Sequence, residues 1–167
     1  MLRTLLILIF CLVYLVNCSS SNNKAKNVTK EVKTPEEIYT QARNLFDKEQ
    51  YDLANEQFKK LKKLYPLSNE AIQSEIMIGF ISYLRLDYES AIFQFDRIIN
   101  KFPSHKDLDY VYYMKALCSY EQITNHALDG TFNEISIDNF QQVINRFPDS
   151  KYAKDSRQKI ILINSNK

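Results

Sequence analysis

The chain has 167 residues, 45% of them hydrophobic and 13% aromatic, which suffices for one domain with a substantial core. Two glycines and four prolines supply few tight turns, so a turn-rich β-fold is excluded in favour of helices. A net charge of +2, from 22 basic and 20 acidic residues interspersed along the chain, gives no footprint for a phosphate backbone and excludes nucleic acid as a partner.

The first segment differs in composition from the rest. Arg3 gives a basic start, Leu5 to Val16 is an apolar run, and Cys18 follows at once. The run is too short to span a hydrocarbon core ~30 Å thick at ~1.5 Å per residue, so residues 1–17 read as a cleaved signal peptide. A cysteine directly after such a region, followed by Ser19, Ser20 and Ser21, resembles the lipobox of bacterial lipoproteins, although Asn17 replaces the usual small residue before the cysteine. The resemblance implies acylation of Cys18 and a mature chain that sits on a membrane without crossing it. With Cys11 lost and Cys18 acylated, Cys118 stands alone, so no disulfide framework exists and the core must hold the fold. Residues 18–33 continue as a polar tether without periodicity, reaching on the order of 20 Å.

A helical domain is expected over residues 34–163. It begins at Thr34, Pro35, Glu36 and Glu37: a capping Thr, proline in the first helical position, and Glu three residues after the cap. One pattern then recurs: Ala54, Phe58 and Pro66; Ala91, Phe95 and Pro103; Ser136, Phe140 and Pro148. Upstream of each set lies an apolar-periodic helix centred on a small residue, Ala42, Gly79 or Ala116. Ala42 to Ala54 and Gly79 to Ala91 are both twelve apart, as antiparallel helices touching through small side chains require. Tyr51 and Tyr88 share the turn position before the second helix. The pattern resembles the tetratricopeptide repeat, a helix-turn-helix unit of about 34 residues. Its repeats fall at about 35–67, 69–103 and 107–148.

The third copy is longer. Ala116 to Ser136 is twenty, and the prolines are 37 and then 45 apart, so eight residues are inserted. Asn125 to Gly130, which includes His126, reads as a protruding loop. After Pro148, Asp149 and Ser150 can cap a closing helix over 150–163 whose outer face carries Lys151, Lys154, Asp155, Gln158 and Lys159. The run Ile160 to Ile163 exceeds what a cap needs: it either packs on the third repeat or leaves an apolar edge. The expected fold is all-α, a tetratricopeptide-like solenoid of helical hairpins with three repeats plus a closing helix.

Lipobox, tether and divergent repeats together resemble the BamD family, lipoproteins of the β-barrel assembly machinery of Gram-negative outer membranes. The resemblance is carried by Pro35 to Arg43, by Tyr65 with Pro66, and above all by Asp109 to Leu117. It implies a periplasmic scaffold, lipid-anchored in the outer membrane, whose partners are unfolded outer-membrane proteins, a BamA-like barrel and the other subunits of the complex. In that family about five repeats are present: early ones are associated with recognition of the C-terminal signal of unfolded clients, and late ones dock on BamA. By resemblance this sequence keeps the early part and lacks the late part.

In such repeats the first helices line the concave face. The register set by Pro66, Pro103 and Ala116 places Tyr39, Arg43 and Phe46, then Ile76, Phe80 and Tyr83, then Tyr113, Leu117 and Tyr120 on it. Aromatic groups with one Arg suit an extended peptide with an aromatic end and a carboxylate, because Arg binds that group bidentately. The alternative for each of these side chains is ordinary packing between helices. Asp109 either caps its helix or takes part in recognition.

No catalytic constellation is legible. Cys118 has no His or Asp at helical spacing to act as a base, only Lys115 three residues before it, and reads as a buried small hydrophobe. His105 and His126 read as surface residues with no metal-ligand spacing, and neither metal nor cofactor is expected. A phosphate-binding loop and a nucleophile elbow are absent. Two other functions fit less well: an envelope repeat lipoprotein coordinating cell-wall or division proteins, and an enzyme acting on cell-wall material, which would need an acid pair in a cleft.

Overall fold

The computed structural model describes residues 32–123 and 130–165. Cys18, the signal peptide, most of the tether, and residues 124–129, which take in the expected loop up to Gly130 with His126, lie outside the described residues.

Among the described residues seven helices follow one another: α1 Pro35–Asp47, α2 Tyr51–Leu64, α3 Asn69–Leu84, α4 Tyr88–Lys101, α5 Leu108–Glu121, α6 Thr131–Arg146 and α7 Lys151–Ser165. No strand occurs among the described residues, and no described helix is long and apolar enough to cross a membrane. Each helix packs against its chain neighbours, so the architecture is a series of antiparallel hairpins, all-α and tetratricopeptide-like. The start of α1 is fixed as its sequence dictates: Glu37 N–H donates to Thr34 Oγ1 at 3.3 Å, and Thr34 N–H donates to Glu37 Oε2 at 2.9 Å, with Pro35 in the first helical position.

The repeated triplets are the skeleton of the core. Ala54, Phe58, Ala91, Phe95, Ser136 and Phe140 are all fully buried, as are Ala42 and Ala116 on the facing helices. Each large ring thus enters the space that a small residue opens across the hairpin. Gly79 marks the closest such approach. The prolines end the second helices in one way. Tyr65, Phe102 and Phe147, each preceding a proline, have φ of -133°, -129° and -134° and ψ of 60°, 59° and 57°. A residue before proline is pushed out of the α region, so each helix stops at the same corner.

The short turns inside the first two hairpins are also alike. Glu49 and Leu86 take left-handed φ of 59° and 62°. Around them Gln50 N–H donates to Leu45 O at 3.0 Å and Asp87 N–H to Ser82 O at 3.0 Å, while Glu49 N–H reaches Phe46 O and Leu86 N–H reaches Tyr83 O. This pairing satisfies the last carbonyls of α1 and α3.

The third hairpin absorbs its insertion in two places. Six extra residues lengthen the connection from α5 to α6 relative to the three-residue turns of the first two hairpins, and two extend the start of α6 ahead of Ser136. In α7, Ser150 caps the first turn by accepting from Tyr152 N–H at 3.2 Å. The run Ile160 to Ile163 is divided by helical phase: Ile160 and Ile163 pack against Ala116 and Phe140, while Ile161 and Leu162 face outward, 66% and 48% exposed.

Candidate functional site

The first helices of all hairpins, together with the start of α7, border one groove of about 530 Å³. α1 contributes Tyr39 and Arg43, and α3 contributes Gln73, Ile76, Met77 and Phe80. The approach to α5 adds Lys106, Asp107, Asp109 and Tyr110, and α7 adds Lys151 and Tyr152. These side chains converge because residues three or four apart on each helix share one face.

Arg43 is the charged centre of the α1 side. Its Nη1 donates to Met77 Sδ at 3.3 Å, its Nη2 faces Asp47 Oδ1 at 3.5 Å, and its guanidinium lies 5.3 Å from the Phe46 ring centroid. The side chain is 40% exposed, and neither partner engages it bidentately, so its planar fork is available to an incoming carboxylate. Beside it runs a ladder of rings, Tyr51, Phe46, Phe80, Tyr83 and Tyr88, with successive centroids 5.4, 5.9, 6.2 and 5.8 Å apart. Burial, and after it the Glu121 carboxylate, push the Tyr83 phenol up to about 12, and Tyr83 Oη–H donates to Glu121 Oε1 at 3.4 Å. Ile76, 4% exposed, forms the floor.

The opposite wall is held by polar ties between helices. Gln73 Nε2 donates to Asp107 Oδ2 at 2.6 Å, and Ser150 Oγ–H donates to Asp109 Oδ2 at 2.6 Å. Asp107 occupies the N-cap position of α5 without a side-chain cap bond, and Asp109, in the first turn, accepts Tyr110 N–H on Oδ1 at 2.8 Å. Its carboxylate joins the first turn of α5 to the cap residue of α7. Tyr110, whose phenol burial pushes up to about 12, packs on Tyr152 at 5.5 Å. A phenol held neutral in this way remains a hydrogen-bond donor at physiological pH.

Of the nine residues that the sequence nominates, the structure therefore brings Tyr39, Arg43, Ile76 and Phe80 into the groove itself. Phe46 and Tyr83 lie along it in the ring ladder. Tyr113, Leu117 and Tyr120 are elsewhere engaged. Tyr113 stacks on Tyr152 at 5.0 Å and donates to Asp155 Oδ2 at 2.6 Å, which, after burial, drives its phenol upward. Tyr120 meets Phe140 edge-on at 6.1 Å, and Leu117 packs in the same cluster with Ile160 and Ile163. α7 lies over this part of α5, so these three positions are spent on packing.

His105 is not a surface residue: its side chain is only 10% exposed, and its Nδ1 accepts Asp107 N–H at 3.3 Å. It is drawn inward because it sits in the tight connection that sets the start of α5. Cys118 is fully buried, and burial pushes its thiol up to about 12, the opposite of an activated nucleophile. Among the described residues, no group of three His, Cys, Asp or Glu side chains is placed to hold a metal ion. Gln73, Lys106, Asp107, Tyr110, Lys151 and Tyr152 went unnominated by the repeat register, since they reach the groove from helix starts and from α7.

Stacked helical hairpins whose first helices share one ring-lined groove define a tetratricopeptide-like repeat protein. The comparisons with known proteins are specific. Residues 31–166 match the family model YfiO, described as outer membrane lipoprotein. The outer membrane protein assembly factor BamD of Rickettsia prowazekii is 36% identical over 146 residues, which cover 86% of this chain and 57% of that protein. BamD of Caulobacter vibrioides is 30% identical over 143 residues, 84% of this chain and 47% of that protein. BamD of Xylella fastidiosa strain 9a5c is 25% identical over 164 residues, 92% of this chain and 56% of that protein. The chain belongs to the YfiO/BamD family and spans about half the length of the relatives it matches.

Proposed function

We propose that this chain is a non-enzymatic scaffold that assists assembly of outer-membrane β-barrel proteins. It acts from the periplasmic face of the outer membrane, to which acylated Cys18 ties it, beside a BamA-like barrel and the other subunits of the assembly complex. The groove between α1, α3, α5 and α7 receives the C-terminal segment of an unfolded client in extended form. The observation that carries this reading is Arg43, a forked cation set at the mouth of a ring-lined groove in a member of the BamD family. A terminal carboxylate fits the guanidinium, and a terminal aromatic residue finds Phe80, Tyr39 and Tyr110 beside it. Lys106 and Lys151 reinforce the preference for an anionic end.

The test is fluorescence anisotropy with a labelled peptide ending in an aromatic residue, presented once with a free carboxylate and once amidated. Arg43→Glu should weaken the free acid about tenfold or more, leave the amide's weaker binding unchanged, and preserve the helical circular dichroism spectrum. Equal affinity of wild type and variant for the free acid would refute the carboxylate role.

A further inference from the structure

Glu75 of α3 has a side chain only 4% exposed, yet it is ionised in a ring of cations. Arg97 Nη2 lies 2.8 Å from its Oε2, and Lys101 Nζ and Lys62 Nζ lie 3.3 and 3.7 Å from its Oε1. Burial alone would raise this carboxyl, but the Arg97 hydrogen bond with the charges of Lys62, Arg97 and Lys101 outweighs it, and the group lies below its ordinary value. Burial and its cationic neighbours hold Lys62 below the ordinary lysine value even with Glu75 beside it. One carboxylate therefore collects more positive charge than it can neutralise.

The cluster lines a hollow of about 480 Å³ away from the peptide groove, bordered by Lys59, Lys62 and Lys63 of α2, Arg97 and Lys101 of α4, and Glu75. Five cations face a single acid there. An apolar side chain stands at its edge: Leu67, directly after Pro66, which lines the hollow, is 96% exposed. Basic side chains beside a protruding leucine are the composition of a surface that rests on lipid head groups. Its position in the hairpins agrees. Lys62, Lys63 and Lys101 occupy the last turns of α2 and α4, the end at which α1 begins. At that same end Tyr65 Oη–H donates to Lys33 O at 2.7 Å, which pins the point where the chain joins the folded body.

We propose that this face, formed by Lys59, Lys62, Lys63, Arg97 and Lys101 with Leu67, docks on an anionic phospholipid surface. The orientation of the docked face toward the bilayer rests on acylation of Cys18, fifteen residues before Lys33; the attraction of the face for anionic lipid does not. Docking would hold the hairpins against the membrane while the ring-lined groove on α1 and α3 faces away from the lipid contact.

The full chain, diluted from mild detergent into vesicles, is treated with an amine-acylating reagent, and lysine modification is read by peptide mass spectrometry. Phosphatidylcholine vesicles are compared with vesicles that also contain phosphatidylglycerol. Lys59, Lys63 and Lys101 should lose reactivity several-fold only on the anionic vesicles, high salt should restore it, and Lys48 at the other end of the hairpin should be unaffected. In a Lys59→Glu/Lys63→Glu variant, which leaves the partners of Glu75 in place, Lys101 should stay fully reactive. Equal reactivity on both vesicles, protection that includes Lys48, or protection of Lys101 surviving in the variant overturns the proposal. So does protection by a soluble polyglutamate peptide but not by vesicles, which would assign the face to an acidic protein segment. The mass of the N-terminal peptide reads acylation separately: unmodified Cys18 with protected Lys101 removes the anchor alone, and acylated Cys18 with reactive Lys101 removes the docking face alone.

Discussion

Gly79 lies directly beneath the ring of Phe95, and a Cβ at Gly79 would meet Phe95 Cε1 at 2.8 Å. At the equivalent points of the other hairpins Ala42 and Ala116 carry that carbon, whereas at Gly79 the Phe95 ring leaves no room for it. Phe95 is fully buried and has nowhere to retreat. Gly79→Ala should therefore destabilise the domain by about 1–2 kcal/mol, because overpacking outweighs the roughly 1 kcal/mol that Ala gains over Gly inside a helix. Urea denaturation monitored by circular dichroism checks it, and a more stable variant would show that the helices part at no cost.

Ser136 holds the small-residue position that Ala54 and Ala91 hold in the first two hairpins. It is fully buried, and its hydroxyl oxygen has no hydrogen-bond partner among the described residues. Ser136→Ala removes a desolvated polar group and matches the repeat, so a gain of about 1 kcal/mol and a higher thermal midpoint are expected. A loss of stability would mean that the hydroxyl is bonded in solution.

The carboxyl of Glu75 is held below its ordinary value in the folded chain, so it stabilises the fold above the unfolded glutamate range, and that contribution disappears as pH falls through the folded value. At neutral pH Glu75→Gln should cost about 2 kcal/mol, less than a fully buried pair because Arg97 and Lys101 are 44% and 53% exposed. Urea midpoints of wild type and variant, measured from pH 7 downward, should converge in acid. A constant gap would assign the loss to packing.

What the sequence disclosed and what it concealed divide along a physical line. Thr34 with Glu37, the small-residue, Phe and Pro triplets, and the cap at Ser150 act within a turn or within one hairpin, where spacing alone determines who meets whom. Arg43, Ile76 and Phe80 were legible for the same reason, since helical phase put them on one face. The opposite wall was not. Tyr110, Asp107 and Lys151 reach the groove through the angles at which α5 packs on α3 and α4 and α7 packs on α5 and α6, and no spacing along the chain encodes those angles. Tyr113, Leu117 and Tyr120 share the register of the groove residues, but α7 covers them, so helical phase alone could not separate lining from packing. The partners of Glu75 come from α2 and α4 on either side of α3, and the cluster left no trace as a motif.

Each helix rests mainly on the one before it and the one after it, and all three second helices end at the same aromatic-proline corner. Few contacts need distant parts of the chain to find each other, so closing loops costs little entropy, and any hairpin can serve as the seed on which the next one condenses. A chain threaded across a membrane from its N-terminus would thus gain structure in the order of its emergence, with the Arg43 side of the groove assembled before the helix that completes the other wall.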